Sequence, residues 1–132
     1  MGAGRSRGKN QKEGGRHMTF KEIEDMVAET GLEYVYYSFP EHEAPPLPYV
    51  VFYYPSNDDF GADNYNYVPI VNLNIELYTE NKDFETEATV EGVLESHGIF
   101  FSKTESFLDS EEMYEVLYEM QIVIEKETIN GE

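Results

Sequence analysis

Cysteine is absent from all 132 residues. That excludes a disulfide framework and any thiolate metal site, and is consistent with a reducing compartment. No apolar stretch approaches the roughly 20 residues that span a bilayer, and no signal peptide is visible. Gly-rich phosphate loops are missing too. His42 lies in a proline-rich connection and His97 ends a predicted helix, and neither has a Ser or second His at triad or metal-ligand spacing. Nothing here has the pattern of an enzyme or of a cofactor site, so the expectation is a non-enzymatic protein that needs no cofactor.

Basic residues are scarce and unevenly placed. The formal charge is −18, from 9 basic and 27 acidic residues. Residues 1–17, "MGAGRSRGKNQKEGGRH", hold five of those basic residues and one acidic one, so the rest of the chain has 4 against 26, a charge of −22. That body has no arginine, and its lysines are Lys21, Lys82, Lys103 and Lys126. A surface so acidic repels phosphate, which argues against nucleic acid and anionic membranes as partners. Residues 1–17 are nearly devoid of apolar side chains and cannot repay their ordering entropy. They read as a disordered expression tag, with Met18 as the natural start and 18–132 as a single domain.

What the body does contain is periodicity. Thr19 and Glu22 form a capping-box pattern, and Phe20, Ile23, Met26 and Val27 recur at helical spacing up to Gly31, which predicts a helix over about 20–30. "LEYVYYSF" (32–39) and "YVVFYY" (49–54) read as strands, separated by the prolines of "PEHEAPPLP". In "IVNLNIELYT", Val71, Leu73, Ile75 and Leu77 point to one face, and Asn72, Asn74, Glu76 and Tyr78 to the other. Asn81 is the expected cap of a second helix running to about His97, with Gly98 as its stop. "IFFSKTES" (99–106) and "MYEVLYEMQIVIEK" complete the set; in the latter Tyr114, Val116, Tyr118, Met120, Ile122 and Ile124 alternate with Glu115, Leu117, Glu119, Gln121, Val123 and Glu125, the glutamates facing outward.

The order α-β-β-β-α-β-β predicts an α+β fold: a mixed, mostly antiparallel five-stranded sheet with both helices packed on one face. Its core should join Phe20, Ile23, Val27, Val90 and Leu94 to Val71, Leu73, Ile75 and Leu77.

Between the second and third strands, "PSNDDFGADNYNYV" has no apolar periodicity yet carries Phe60, Tyr65 and Tyr67. As an EF-hand loop starting at Asn57 it fails, because Gly61 stands at position 5 and Val68 at position 12. Aromatic rings among hydrogen-bonding side chains are the composition of contact surfaces. The expected partner-binding residues are Asn57, Asp58, Asp59, Phe60, Asp63, Asn64, Tyr65 and Tyr67, joined by Asn72 and Asn74 on the polar face of the third strand.

The element order, with "PYVVFYYPSNDDFGAD", "NLNIELYT", "VEGVLESHGIFFSK" and "SEEMYEVLYEMQIVIE", resembles the tail terminator (head–tail joining, tail completion) proteins of long-tailed bacteriophages and prophages. The resemblance covers about 18–126 and is carried by diffuse strand and loop patterns rather than catalytic signatures. It implies a small α+β subunit that binds itself in a ring, commonly a hexamer, at the head-proximal end of the tail tube. The ring would stop tube growth, touching tail-tube protein on one side and a head-side connector protein on the other. Its place would be the bacterial host cytoplasm during assembly and then the virion tail. The competing expectation from charge alone is an acidic inhibitor that mimics DNA and occupies the groove of a DNA-binding protein.

Overall fold

A computed structural model describes residues 16–55 and 69–125. In chain order its elements are β1 (Arg16–Met18), α1 (Phe20–Ala28), β2 (Glu33–Tyr36), β3 (Tyr49–Tyr53), β4 (Ile70–Thr79), α2 (Phe84–Ser96), β5 (Ser102–Leu108) and β6 (Met113–Ile124). The fold is α+β, with two helices and one mixed sheet of six strands among the described residues. No helix among the described residues is long and apolar enough to cross a membrane.

The sheet runs β1-β6-β4-β3-β2, with β5 also on β6. Pairings β3–β4, β4–β6 and β5–β6 are antiparallel, while β1–β6 and β2–β3 are parallel. A parallel pair needs a long connection, and residues 37–48 supply it between β2 and β3. The sixth strand is a correction to the expected five. β5 covers β6 only from Met113 to Glu119, which leaves Ile122–Ile124 for Arg16–Met18 to pair. Arg16 and His17, read from sequence as part of a disordered tag, therefore belong to the sheet, whereas residues 1–15 lie outside the described residues.

Helix ends follow from local chemistry. Thr19 accepts a hydrogen bond from the Glu22 amide at 3.0 Å, and the Glu22 carboxylate accepts from the Thr19 amide at 2.9 Å, which completes the capping box. For α2 the cap is Asp83 rather than Asn81: its Oδ1 accepts from the Thr86 amide at 3.1 Å and its Oδ2 from the Thr86 hydroxyl at 2.7 Å. At the other end Gly98, with φ +74°, lets its own amide reach Glu95 O and the Ile99 amide reach Leu94 O, at 2.9 and 3.1 Å. This Schellman closure turns Ile99 into the core and delays the next strand to Ser102.

One cluster unites Ile23, Met26 and Val27 of α1, Val90 and Leu94 of α2, and the inward rows of β3, β4 and β6. Leu73, Leu77, Val116, Tyr118 and Ile122 are completely buried in it. Phe20 is the exception among the expected core residues. At the first position of α1 it stays 49% exposed and meets Tyr54 edge-to-face, the ring centroids 5.2 Å apart.

Candidate functional site

The face of the sheet turned away from the helices is assembled by strand register. Tyr53 pairs Asn74, Val51 pairs Glu76 and Tyr49 pairs Tyr78 across β3–β4. On the other side of β4, Asn72 pairs Gln121, Asn74 pairs Glu119 and Tyr78 pairs Glu115. Period-two alternation puts all of these on one surface, so the alternation of "IVNLNIELYT" places Asn72 and Asn74 among partners from three strands.

Their side chains form a hydrogen-bonded array centred on Glu76. The Tyr53 hydroxyl donates to Glu76 Oε2 and the Tyr78 hydroxyl to Oε1, each at 2.6 Å. Asn74 Nδ2 donates to the Tyr53 hydroxyl at 3.4 Å, and Gln121 Nε2 donates to Asn72 Oδ1 at 3.2 Å. Tyr49 stacks obliquely on Tyr78 at 5.4 Å and meets Phe39 edge-to-face at 5.1 Å. Partial burial, and after it the hydrogen bond to Glu76, raise the Tyr53 and Tyr78 hydroxyls above their ordinary pKa. The two phenols therefore stay neutral and act as donors. Glu115 is also pushed above the usual carboxylate range, first by burial and then by the charge of Glu76. Val51, Asn74 and Val123 are buried on this same face, so it is not a simple solvated surface. Such an array holds rings, amides and carboxylates in fixed positions on one surface.

Of the expected partner-binding residues, the structure brings Asn72 and Asn74 into this array. Asn57, Asp58, Asp59, Phe60, Asp63, Asn64, Tyr65 and Tyr67 lie outside the described residues. The segment that contains them joins β3 to β4 at the end of the sheet where Asn72 and Asn74 stand. Tyr53 completes the array but carries no sequence signal of its own, since it looks like an ordinary strand residue until the register is known, whereas Glu115 stands in the outward row of the last strand and the register sets it beside Tyr78.

A second polar group, on the helix side, was not expected from sequence. Glu87 of α2 is 2% exposed and sits between two lysines. Lys103 Nζ stands 2.9 Å from Glu87 Oε1 and 2.6 Å from Glu91 Oε2. Lys82 donates to Glu87 Oε1 at 3.0 Å and makes an ion contact at 2.9 Å with Oε2, which takes no well-aligned hydrogen bond. Lys82 also binds Glu105, and the Tyr118 hydroxyl donates to Glu91 at 2.8 Å. Burial pushes Glu87 upward, but the bonds to Lys82 and Lys103 outweigh it and hold the carboxyl below the usual range. The available signal was the rarity of lysine: two of the four in the body converge on one carboxylate. This group fastens α2 to β5 and β6.

Elsewhere His97 Nε2 lies 3.0 Å from Glu29 Oε1 and links the C-terminal ends of the two helices, while His42 is exposed beside Glu41. No group of three or more metal-ligating side chains occurs among the described residues. No protein-family model matches this chain, and no curated protein does.

Proposed function

We propose that this chain is a tail terminator of a long-tailed phage or prophage, a virion structural protein. Its subunits form a ring, commonly of six, on the head-proximal end of the tail tube, stop tube growth and present a docking face to the head-side connector. The observation that carries the reading is the outer sheet face: Asn72, Asn74, Tyr53, Glu76 and Tyr78 form a pre-ordered polar and aromatic surface that runs along β4 from near its first residue. Such a surface suits repeated contact with tube subunits, because ordering costs are met before binding. The formal charge of −22 on the body supports the same reading, since a ring that DNA traverses works best when its wall repels the duplex. The activity is binding rather than catalysis, it calls for no cofactor, and assembly takes place in the bacterial cytoplasm.

The test is to co-express the chain with a tube-forming protein of the genome that carries it and to image the products by negative stain. Tubes capped by a ring, and shorter than those grown without the chain, support the reading. Uncapped tubes of unchanged length overturn it. The charge also favours the alternative of a DNA mimic, which predicts a stable monomer or dimer that competes with DNA for a DNA-binding protein.

A further inference from the structure

Among the described residues β2 forms one edge of the sheet, and the other is shared by β5 and, beyond its end, the three residues of β1; no described strand pairs with the outer side of β2 or β5. They are not alike. Beside β2, on the helix side, Phe20, Glu24, Tyr34, Tyr36, Phe52 and Tyr54 line an open hollow of about 470 Å³. Tyr36 lies 5.3 Å from Phe52 and 5.7 Å from Tyr54, and half of its surface is exposed. On β5 the residues facing the helix side are Lys103, Glu105 and Phe107, set by their register with Tyr118, Val116 and Tyr114. Phe107 is likewise 50% exposed.

We propose that a second copy of this chain docks its β5 edge against the β2 edge of the first, with Phe107 entering the aromatic hollow. Strand directions fit this. Through β6, β4 and β3, β5 runs antiparallel to β2, so a neighbour that continues the sheet in the same sense pairs the two edges antiparallel, the more stable ladder. Continuing the sheet also keeps helix-side residues together, which brings Lys103 and Phe107 of one copy beside Glu24, Tyr34 and Tyr36 of the next. Charge opposes the pairing of two β2 edges. Two β2 edges would set Glu24 and Glu33 against their own copies. On the β5 flank Lys82 and Lys103 offset two of the three charges of Glu105, Glu87 and Glu91, which makes it the less repulsive side to approach. An interface between two different surfaces is head-to-tail, and it generates a ring when the rotation closes. The proposal rests on the ring reading above and specifies the surfaces that make the ring.

Because the chain has no cysteine, introduced thiols report without background. Val35→Cys and Thr104→Cys place one thiol on each edge, both on the outer face, for a short bismaleimide cross-linker at 1 M NaCl, where the Debye length is about 3 Å. Each single variant alone should give monomer, a mixture of the two should give dimer only, and the double variant should give a ladder up to ring size. Sedimentation of the unmodified chain should show mass rising with concentration. Phe107→Asp and, independently, Tyr36→Asp should each weaken association about tenfold or more, equivalent to roughly 1.4 kcal/mol, with the monomer's circular dichroism spectrum unchanged. A single variant that cross-links to itself, or a chain that stays monomeric throughout, overturns the proposal. If self-linking occurs while capped tubes still form, the edge assignment falls and the terminator reading stands. If the edges link as stated but tubes grow uncapped, the terminator reading falls alone.

Discussion

Replacing Glu87 by glutamine keeps the shape of the side chain and removes one charge from the lysine group on α2. Each hydrogen bond to a charged partner contributes about 1.5–3 kcal/mol, so the bonds to Lys82 and Lys103 set a ceiling of roughly 3–6 kcal/mol. Two features bring the expected cost well below it. The lysines keep second carboxylates, Glu105 and Glu91, and their side chains are 25% and 35% exposed, so neither ammonium is stranded in a dry interior. The glutamine oxygen also still accepts one bond, although its amide nitrogen turns donors toward a cation. The expected loss is about 1.5–3 kcal/mol, short of the 3–5 kcal/mol for breaking a fully enclosed pair. Urea denaturation at pH 7 should show a lower midpoint with an unchanged slope. The carboxyl of Glu87 is held below its ordinary value, so its contribution is complete above the usual carboxylate pKa of about 4 and is lost as pH falls through the folded-state value. The difference between the two proteins should therefore shrink on acidification. A loss below about 0.5 kcal/mol at pH 7, or a difference that grows between pH 7 and pH 3, refutes the assigned role.

Leu73 is completely buried, so Leu73→Ala should cost about 2–5 kcal/mol in a denaturant titration; under about 0.5 kcal/mol would mean that the cavity is not formed. Glu115→Gln should raise the melting midpoint at pH 7, by roughly 0.2–1 kcal/mol in stability, because it removes a carboxylate charge that burial disfavours first and Glu76 repels second. Since the folded-state pKa of Glu115 is raised, that gain should vanish as pH falls below the ordinary carboxylate value, and melts at pH 7 and pH 4 compare the two. Alanine at Phe60, Tyr65 and Tyr67 together should leave the melting midpoint nearly unchanged and abolish tail completion in a phage assembly assay. An unfolded triple variant would place those rings in the monomer's core.

Local pattern by itself determined most of the architecture. The capping box at Thr19 and Glu22, the strict alternation of residues 70–79 and the glutamates at period two in 113–124 each set an element and its buried face, because side-chain direction within one helix or strand is dictated by backbone geometry alone. The core residues Ile23, Val27, Leu73, Leu77, Val90 and Leu94 were legible for that reason, and so was the placement of Asn72 and Asn74 on the polar face. Four features escaped that logic. Arg16–Met18 became a strand only because the far end of β6 lacked a partner, a need created more than a hundred residues away in the chain. Asp83 replaced Asn81 as a cap through the hydrogen bonds it makes once α2 is in place. The tyrosine array around Glu76 and the lysines around Glu87 depend on which strands become neighbours and in what register. Pairing is a long-range choice settled by the packing of the whole core, and tertiary structure alone decided it.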